Sequence, residues 1–269
     1  MHIGVLTTSY PRAPADLAGR FVAELDAWLA SRGCVVEVLA PAPALNEDPS
    51  VVVHGLSYAR SPRLFAGSGA PDALLGGDRL SRAAAWAQVP AFVTKLAVSC
   101  HARARGWQGL ISHWLVPCGV VAAQAGRGLP HLAIAHATDV HLIERLPLPM
   151  ARAALALLCR SRTQLVLTRE GLREPLLRCA RRKTWGMIEA AKVQRMGIHM
   201  PLVTSPGSEC GLSTKKTQLL FLGRLVEVKG VHRLLEALRG LDVELVIAGD
   251  GPERGRLEAR ARQLNLDAH

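Results

Sequence analysis

The stretch Leu219-Leu220-Phe221-Leu222-Gly223-Arg224-Leu225-Val226-Glu227-Val228-Lys229-Gly230 constrains the fold more than any other. Its apolar start reads as a buried strand, Gly223 as a tight turn, and Gly230 as the opening of a helix. Strand, glycine turn and helix start together aim free backbone N–H groups and the positive end of a helix dipole at one spot, which makes an anion site. Arg224 can clamp a phosphate with two parallel hydrogen bonds, and Lys229 adds a compact second charge. A diphosphate leaving group is the natural guest. Taken in isolation the two cations are solvated loop residues; their setting is what favours phosphate.

The same alternation runs through the chain of 269 residues, which is long enough for two domains. His2-Ile3-Gly4-Val5-Leu6 reads as a buried strand. Phe21, Val22, Leu25, Trp28 and Leu29 recur at helical spacing up to Gly33, and Val35 to Leu39 follows as a strand, completing a βαβ unit. Residues 41–77 are rich in Pro, Ala, Gly and Ser and read as loop with one strand at Val51 to Val53. A helix is predicted over Ser81 to Arg105 with a kink at Pro90, then strands at Gly109 to Ser112, His131 to Ala135 and Gln164 to Thr168. Helices are predicted from Pro117 to Gly126, Met150 to Ser161 and Arg169 to Arg181. Arg182 to Thr217 reads as irregular. The second half has a strand at Leu219 to Leu222, a helix at Val231 to Arg239, a strand at Val243 to Ala248 and a helix at Glu253 to Leu264. The predicted organisation is an α/β chain with one Rossmann-like, doubly wound parallel-sheet domain over 1–190, a junction over 191–217 and a second, incomplete one over 218–269. Two strands cannot cover both apolar faces of such a sheet.

The formal charge is +11, which favours an anionic partner such as a phosphorylated metabolite, an acidic membrane surface or nucleic acid, or reflects Arg-rich usage alone. Nucleic acid is disfavoured, because the basic cluster Arg178, Arg181, Arg182, Lys183 has only Trp185 beside it. That cluster reads as a solvated junction or an acidic-lipid contact. Cys34, Cys100, Cys118, Cys159, Cys179 and Cys210 form no C-x-x-C pair and read as reduced thiols, mostly in the core. The N-terminus reads as a strand, not a signal peptide, and no run of 18 apolar residues occurs, so a cytoplasmic protein with possible peripheral membrane contact is expected.

Three constellations sit where strands end, the place ligands occupy in open α/β sheets. His136 and Asp139 suit contact with sugar hydroxyls or orientation of a reacting group, and suit equally a loop aspartate that caps the next turn. His113-Trp114 offers an aromatic face for a sugar or for a core. Gly249-Asp250-Gly251 with Gly255 mimics a dinucleotide fingerprint, but its spacing is G-x-G-x-x-x-G and Pro252 removes a donor. A turn lined by Asp250 fits better. No Asp-x-Asp pair occurs, so cations, with no bound metal, are expected to neutralise the phosphates, and no cofactor is implied.

With these residues in place, the chain resembles the retaining glycosyltransferases of family 4. Those have the GT-B fold of two Rossmann-like domains with the active site in the cleft. The resemblance rests on Tyr10-Pro11-Arg12 through Gly19-Arg20-Phe21-Val22, Arg32 to Val38, His113-Trp114-x-x-Pro117, His136-Ala137-Thr138-Asp139 and Met196-Gly197-Ile198-His199. It rests above all on Gly223-Arg224-Leu225-Val226-x-x-Lys229-Gly230 and Gly249-Asp250-Gly251-Pro252. It implies that Arg224 and Lys229, with Gly223, Asp250 and Gly251 around them, bind the diphosphate of a nucleotide-sugar. It implies further that His136 lines the reacting sugar, that Gly19 lets the first loop approach the phosphates, and that His113 faces substrate. The implied reaction is metal-independent transfer of a hexose to an acceptor hydroxyl with retention. The acceptor would be a glycan or a lipid-linked precursor of bacterial envelope or exopolysaccharide. The pattern departs at Ala137, where glycine is usual, and at His199, where aspartate is usual. The family's E-x7-E segment would lie beyond His269. The chain is therefore expected to be incomplete and weakly active or inactive, the alternative being a non-catalytic nucleotide-binding remnant.

Overall fold

The computed structural model describes residues 1–14, 16, 18–45, 48–60, 62, 64, 74, 79–159, 162–197, 217–264 and 266. Contacts divide the chain into two compact units, Met1–Met200 and Pro201–His269.

The first unit is built on strands β1 (His2–Leu6), β2 (Val35–Pro41), β3 (Val51–Leu56), β4 (Gly109–His113), β5 (His131–Ala135), β6 (Thr163–Leu167) and β7 (Lys192–Val193). They form one parallel sheet in the order β3-β2-β1-β4-β5-β6-β7. The helices are α1 (Arg20–Ser31), α2 (Arg79–Arg103), α3 (Val120–Ala125), α4 (Ala137–Arg145), α5 (Leu148–Leu158), α6 (Arg173–Cys179) and α7 (Arg182–Glu189).

Side-chain alternation along the strands puts helices on both faces. Ile3, Val5, Val36 and Val38 pack with Val22 of α1. Leu6 and Leu39 face the other way, onto Phe92, Leu96 and Cys100 of α2 and Val121 of α3. Beyond β4, Ala133, Ala135, Leu165 and Leu167 pack with Leu155 and Leu158 of α5 and Leu176 of α6. The order steps outward from β1 through β2 to β3, then returns to β4 on the other side of β1. Such a reversal leaves a crevice beyond the carboxyl ends of β1 and β4.

The second unit has β8 (Thr217–Leu222), α8 (Val231–Ala237), β9 (Val243–Ala248) and α9 (Arg254–Gln263), with β8 and β9 paired in parallel. Leu225, Val231, Leu235, Leu245, Leu257 and Ala261 make its core. Leu219 and Phe221 pack against that core, whereas Leu220 and Leu222 on the opposite face of β8 are 69% and 78% exposed.

The structure corrects several expectations. Arg182–Glu189 is helix where irregular chain is predicted, because Thr184 and Ile188, four residues apart, bury one face. Val193 then pairs with Leu167, so the first sheet extends past residue 190. Trp28, expected on the core face of α1, is 53% exposed and lies against the Arg32 guanidinium at 5.1 Å; the amphipathic aromatic covers a cation instead of entering the core. The helix predicted from Pro117 begins instead with a turn, Leu115–Gly119, in which Val116 is extended. Cys100, Cys118 and Cys179 are buried thiols and Cys34 and Cys159 are half-buried. Cys210, Ile198 and His199 lie outside the described residues.

Candidate functional site

In the first unit the candidate residues gather beyond β1, β4 and β5. β4 ends in His113, which is fully buried, and β5 ends just before His136, the residue that starts α4. His113 Nδ1 lies 3.3 Å from His136 Nε2, and the rings stack at a centroid distance of 5.5 Å. Trp114 packs on His136 at 4.7 Å, and its indole N–H donates to Thr138 Oγ1 at 3.0 Å. Phe21, one residue into α1, closes the cluster 5.2 Å from His136. Burial pushes the His113 imidazole well below its ordinary value, with the neighbouring His136 adding to this, and burial pushes His136 down to about 4. Both rings are therefore neutral at pH 7.

Trp114 has φ +68 and ψ 123, outside the regions a side chain tolerates freely. Its neighbours hold it there. Its N–H donates to Ile134 O, its carbonyl accepts from Gly119 N, and the next amide, Leu115 N, donates to Asp139 Oδ2 at 2.6 Å. Asp139 also accepts from Val140 N at 2.9 Å and is 1% exposed. Burial raises its carboxyl to about 7 against the opposing pull of these backbone donors. Geometry thus gives Asp139 a positioning role: it pins the turn that carries Trp114 and does not face open space.

Gly19 has φ +71 and stands at the N-terminus of α1. A side chain there would collide with the carbonyl of Ser9, so the loop after β1 lies directly on the helix start. Asp26, two turns farther along α1, is buried beside Tyr10. Burial lifts its carboxyl well above the usual range, opposed in part by the Tyr10 hydroxyl beside it. Phe21 and Asp26 are absent from the sequence-based site. Asp26 was findable: it lies four residues after Val22, on the buried side of an otherwise apolar stripe.

In the second unit the two motif loops are joined to each other. Gly223 N donates to Ala248 O at 3.0 Å, Leu225 N to Asp250 O at 2.9 Å, and Glu253 N to Leu225 O at 3.1 Å. Gly249 and Gly251 are required by this contact, since a Cβ on either would strike the backbone of Gly223 or Leu225. Gly255, by contrast, has nothing within 4 Å of where a Cβ would stand. A turn of 3-10 helix, Glu227–Lys229, leads to Gly230 at φ +68 and then α8. Arg224 and Lys229 are both exposed on this edge. The Asp250 carboxylate accepts from Gly251 N at 2.8 Å. Thus Gly223, Arg224, Lys229, Asp250 and Gly251 share one strand-end edge of the second unit, and Gly19, His113, His136 and Asp139 gather at the strand ends of the first, with His113 and Asp139 buried beneath. Among the described residues no group of three His, Cys, Asp or Glu side chains stands ready to hold a metal ion.

Two residues of the basic cluster at the end of the first unit are paired or packed. Arg178 bridges Glu144 and Glu174, both at 2.9 Å, and Arg182 lies 6.0 Å from the Trp185 ring.

Each unit is an α/β layer of parallel strands with glycine loops at its strand ends, and the chain shares a GT-B type fold with solved structures. The chain is similar to Anabaena Alr3699/HepE in complex with UDP-glucose, at 18% identity and TM-score 0.63 over 99% of this chain and 67% of that one. It is similar to α,α-trehalose 6-phosphate synthase from Burkholderia multivorans, at 15% identity and TM-score 0.61 over 98% and 68%. It is also similar to the catalytic domain of starch synthase IV from Arabidopsis thaliana bound to ADP and acarbose, at 13% identity and TM-score 0.60 over 98% and 72%. No curated protein sequence matches it significantly. Within this fold, residues 209–269 match the family described as "Glycosyl transferases group 1", so the second unit is glycosyltransferase-like.

Proposed function

We propose that this chain binds a nucleotide-diphosphate sugar and serves transfer of its hexose to an acceptor hydroxyl with retention, as the family 4 resemblance implies. The observation that carries the reading is the joined pair of loops in the second unit. Backbone hydrogen bonds fix the 223–226 and 249–253 turns together, glycine allows their contact, and Arg224 and Lys229 are displayed on the resulting edge. The match of residues 209–269 covers this edge. In this reading 218–269 is the nucleotide-sugar domain and the first unit, whose sheet runs on to Val193, the acceptor-side domain, with the junction following it.

Arg224 and Lys229 neutralise the two phosphates and stabilise the departing diphosphate, so that charge develops against fixed cations. His136, neutral and aromatic-packed, lines the sugar, with Trp114 and Phe21 shaping that wall and Asp139 holding it in place. Gly19 keeps the first loop close to the helix start. A glycan or lipid-linked acceptor of bacterial envelope or exopolysaccharide synthesis fits the resemblance, and a cytoplasmic protein touching an acidic membrane fits the charge. No described helix is long and apolar enough to cross a membrane.

Calorimetric titration with UDP-glucose, ADP-glucose and GDP-mannose tests the reading. One of them is expected to bind, and Arg224→Ala and Lys229→Ala are each expected to weaken it by roughly tenfold to a hundredfold, the worth of a charge-assisted contact. Affinity unchanged in both variants would overturn the assignment of the diphosphate site. Binding without release of free diphosphonucleoside in the presence of glycan acceptors would favour the non-catalytic alternative.

A further inference from the structure

The pairing of His113 with His136 fixes where their protons sit. With His113 Nδ1 and His136 Nε2 at 3.3 Å, one ring donates and the other accepts. Each neutral imidazole has one N–H and one lone pair to place. His113 is fully buried, and its Nε2 has no hydrogen-bond partner. Besides His136, the rings next to His113 are Phe21 and Trp114, at centroid separations of 6.1 and 6.2 Å, too far to replace a hydrogen bond. If His136 donated, His113 would accept at Nδ1 and bury an unpaired N–H at Nε2. If His113 donates, only a lone pair goes unsatisfied. Proteins tolerate a buried, under-used acceptor more readily than an orphaned N–H.

We propose that His113 donates its Nδ1–H to His136 Nε2 and so locks His136 in the tautomer that carries its proton on Nδ1. His113 is then a positioning residue, not a ligand as its sequence setting implies. The His136 ring makes no other hydrogen bond among the described residues, and the residue is only half-buried. What it offers a ligand is thus an N–H donor, suited to an oxygen lone pair, and not a base. That last role rests on the proposed sugar-donor reading; the tautomer does not.

Ring-nitrogen NMR of the whole chain labelled with 15N-histidine is the test, read through the carbon-bound ring protons and assigned with His136→Gln. At pH 7 the His136 Nδ1 signal is expected to be of the protonated type and its Nε2 signal of the lone-pair type. His113→Asn, whose amide N–H donates from nearly the same place, is expected to keep that pattern, and His113→Phe to shift it to the Nε2–H form. An Nε2–H or doubly protonated His136 in the unmodified chain overturns the proposal, as does an unchanged pattern in His113→Phe. Should His113→Phe fail to fold, the unmodified chain and His113→Asn still decide. Adding UDP-glucose separates the two readings. A shift of the His136 Nδ1 signal supports the donor role. No shift, with the Nδ1–H tautomer present, tells against the sugar site while the tautomer stands.

Discussion

His131 is held between Ser112 Oγ at 2.8 Å and Thr163 Oγ1 at 3.0 Å, and it is 3% exposed. Burial pushes its imidazole down from 6.5 to about 4. The unfolded chain therefore takes up a proton near pH 6.5 while the folded chain does not until about pH 4, so this residue withdraws stability as pH falls through that window. Asp139 acts in the opposite sense. Its raised folded value, about 7, means the folded chain holds the extra proton, and stability declines as pH rises from the ordinary carboxylate range toward 7. Comparison with His131→Gln isolates one of the two. The unmodified chain is expected to lose about 3 kcal/mol relative to the variant between pH 7.5 and pH 4. Urea unfolding at each pH measures it, and parallel pH curves would refute it. At Asp139, substitution by Ala leaves Leu115 N without its acceptor, for an expected loss of about 1–3 kcal/mol in the same assay. These partnerships were beyond the reach of sequence. His113, His136 and Phe21 come from three separate elements, and no spacing rule joins residues that only a strand order brings together.

The joined loops set the terms for the elements around them. Gly251→Ala forces a Cβ against the Leu225 carbonyl, and Gly249→Ala forces one against Gly223. Either is expected to lower the stability of the second unit by at least about 2 kcal/mol. Gly255→Ala, in the open first turn of α9, is expected to raise it by about 0.5–1 kcal/mol. Thermal unfolding of the three variants distinguishes a contact that needs glycine from a spacing that merely resembles a fingerprint. The strands and most helices were legible because each carries its own period. Arg182–Glu189 was not, since only two buried positions mark its face among basic residues. α2 presents the other notable surface. Its outward side displays Leu80 at 83% and Val98 at 64% exposure, on a helix that carries Arg79, Arg82 and Lys95 and has no acidic residue from Arg79 to Arg103. Exposed apolar side chains on a helix whose charges are all cationic suit the headgroup region of an anionic bilayer. Vesicles containing phosphatidylglycerol are expected to sediment the chain, with retention lowered roughly tenfold by Leu80→Glu with Val98→Glu. Equal sedimentation of that variant would remove α2 from the contact.

At the scale of the molecule, a charge of +11 makes any such attachment sensitive to salt. The two α/β units were readable from the periods of their strands and helices, whereas the GT-B type came only from the resemblance carried by motifs such as Gly223-Arg224 and Gly249-Asp250-Gly251. The extent of the first sheet was not, because β7 is only two residues long and gains its identity from the edge of β6.

The placement of β1 has a bearing on how the protein is made. Ile3 pairs with Val36 on one side, but its other neighbour, Gly109, leaves the ribosome about a hundred residues later. At ordinary synthesis rates that is an interval on the order of 5–20 s. For that time the strand destined for the middle of the sheet is an unpaired edge, apolar along Ile3, Val5 and Leu6 and open to any passing strand. That edge closes only when β4 emerges and takes its place beside β1.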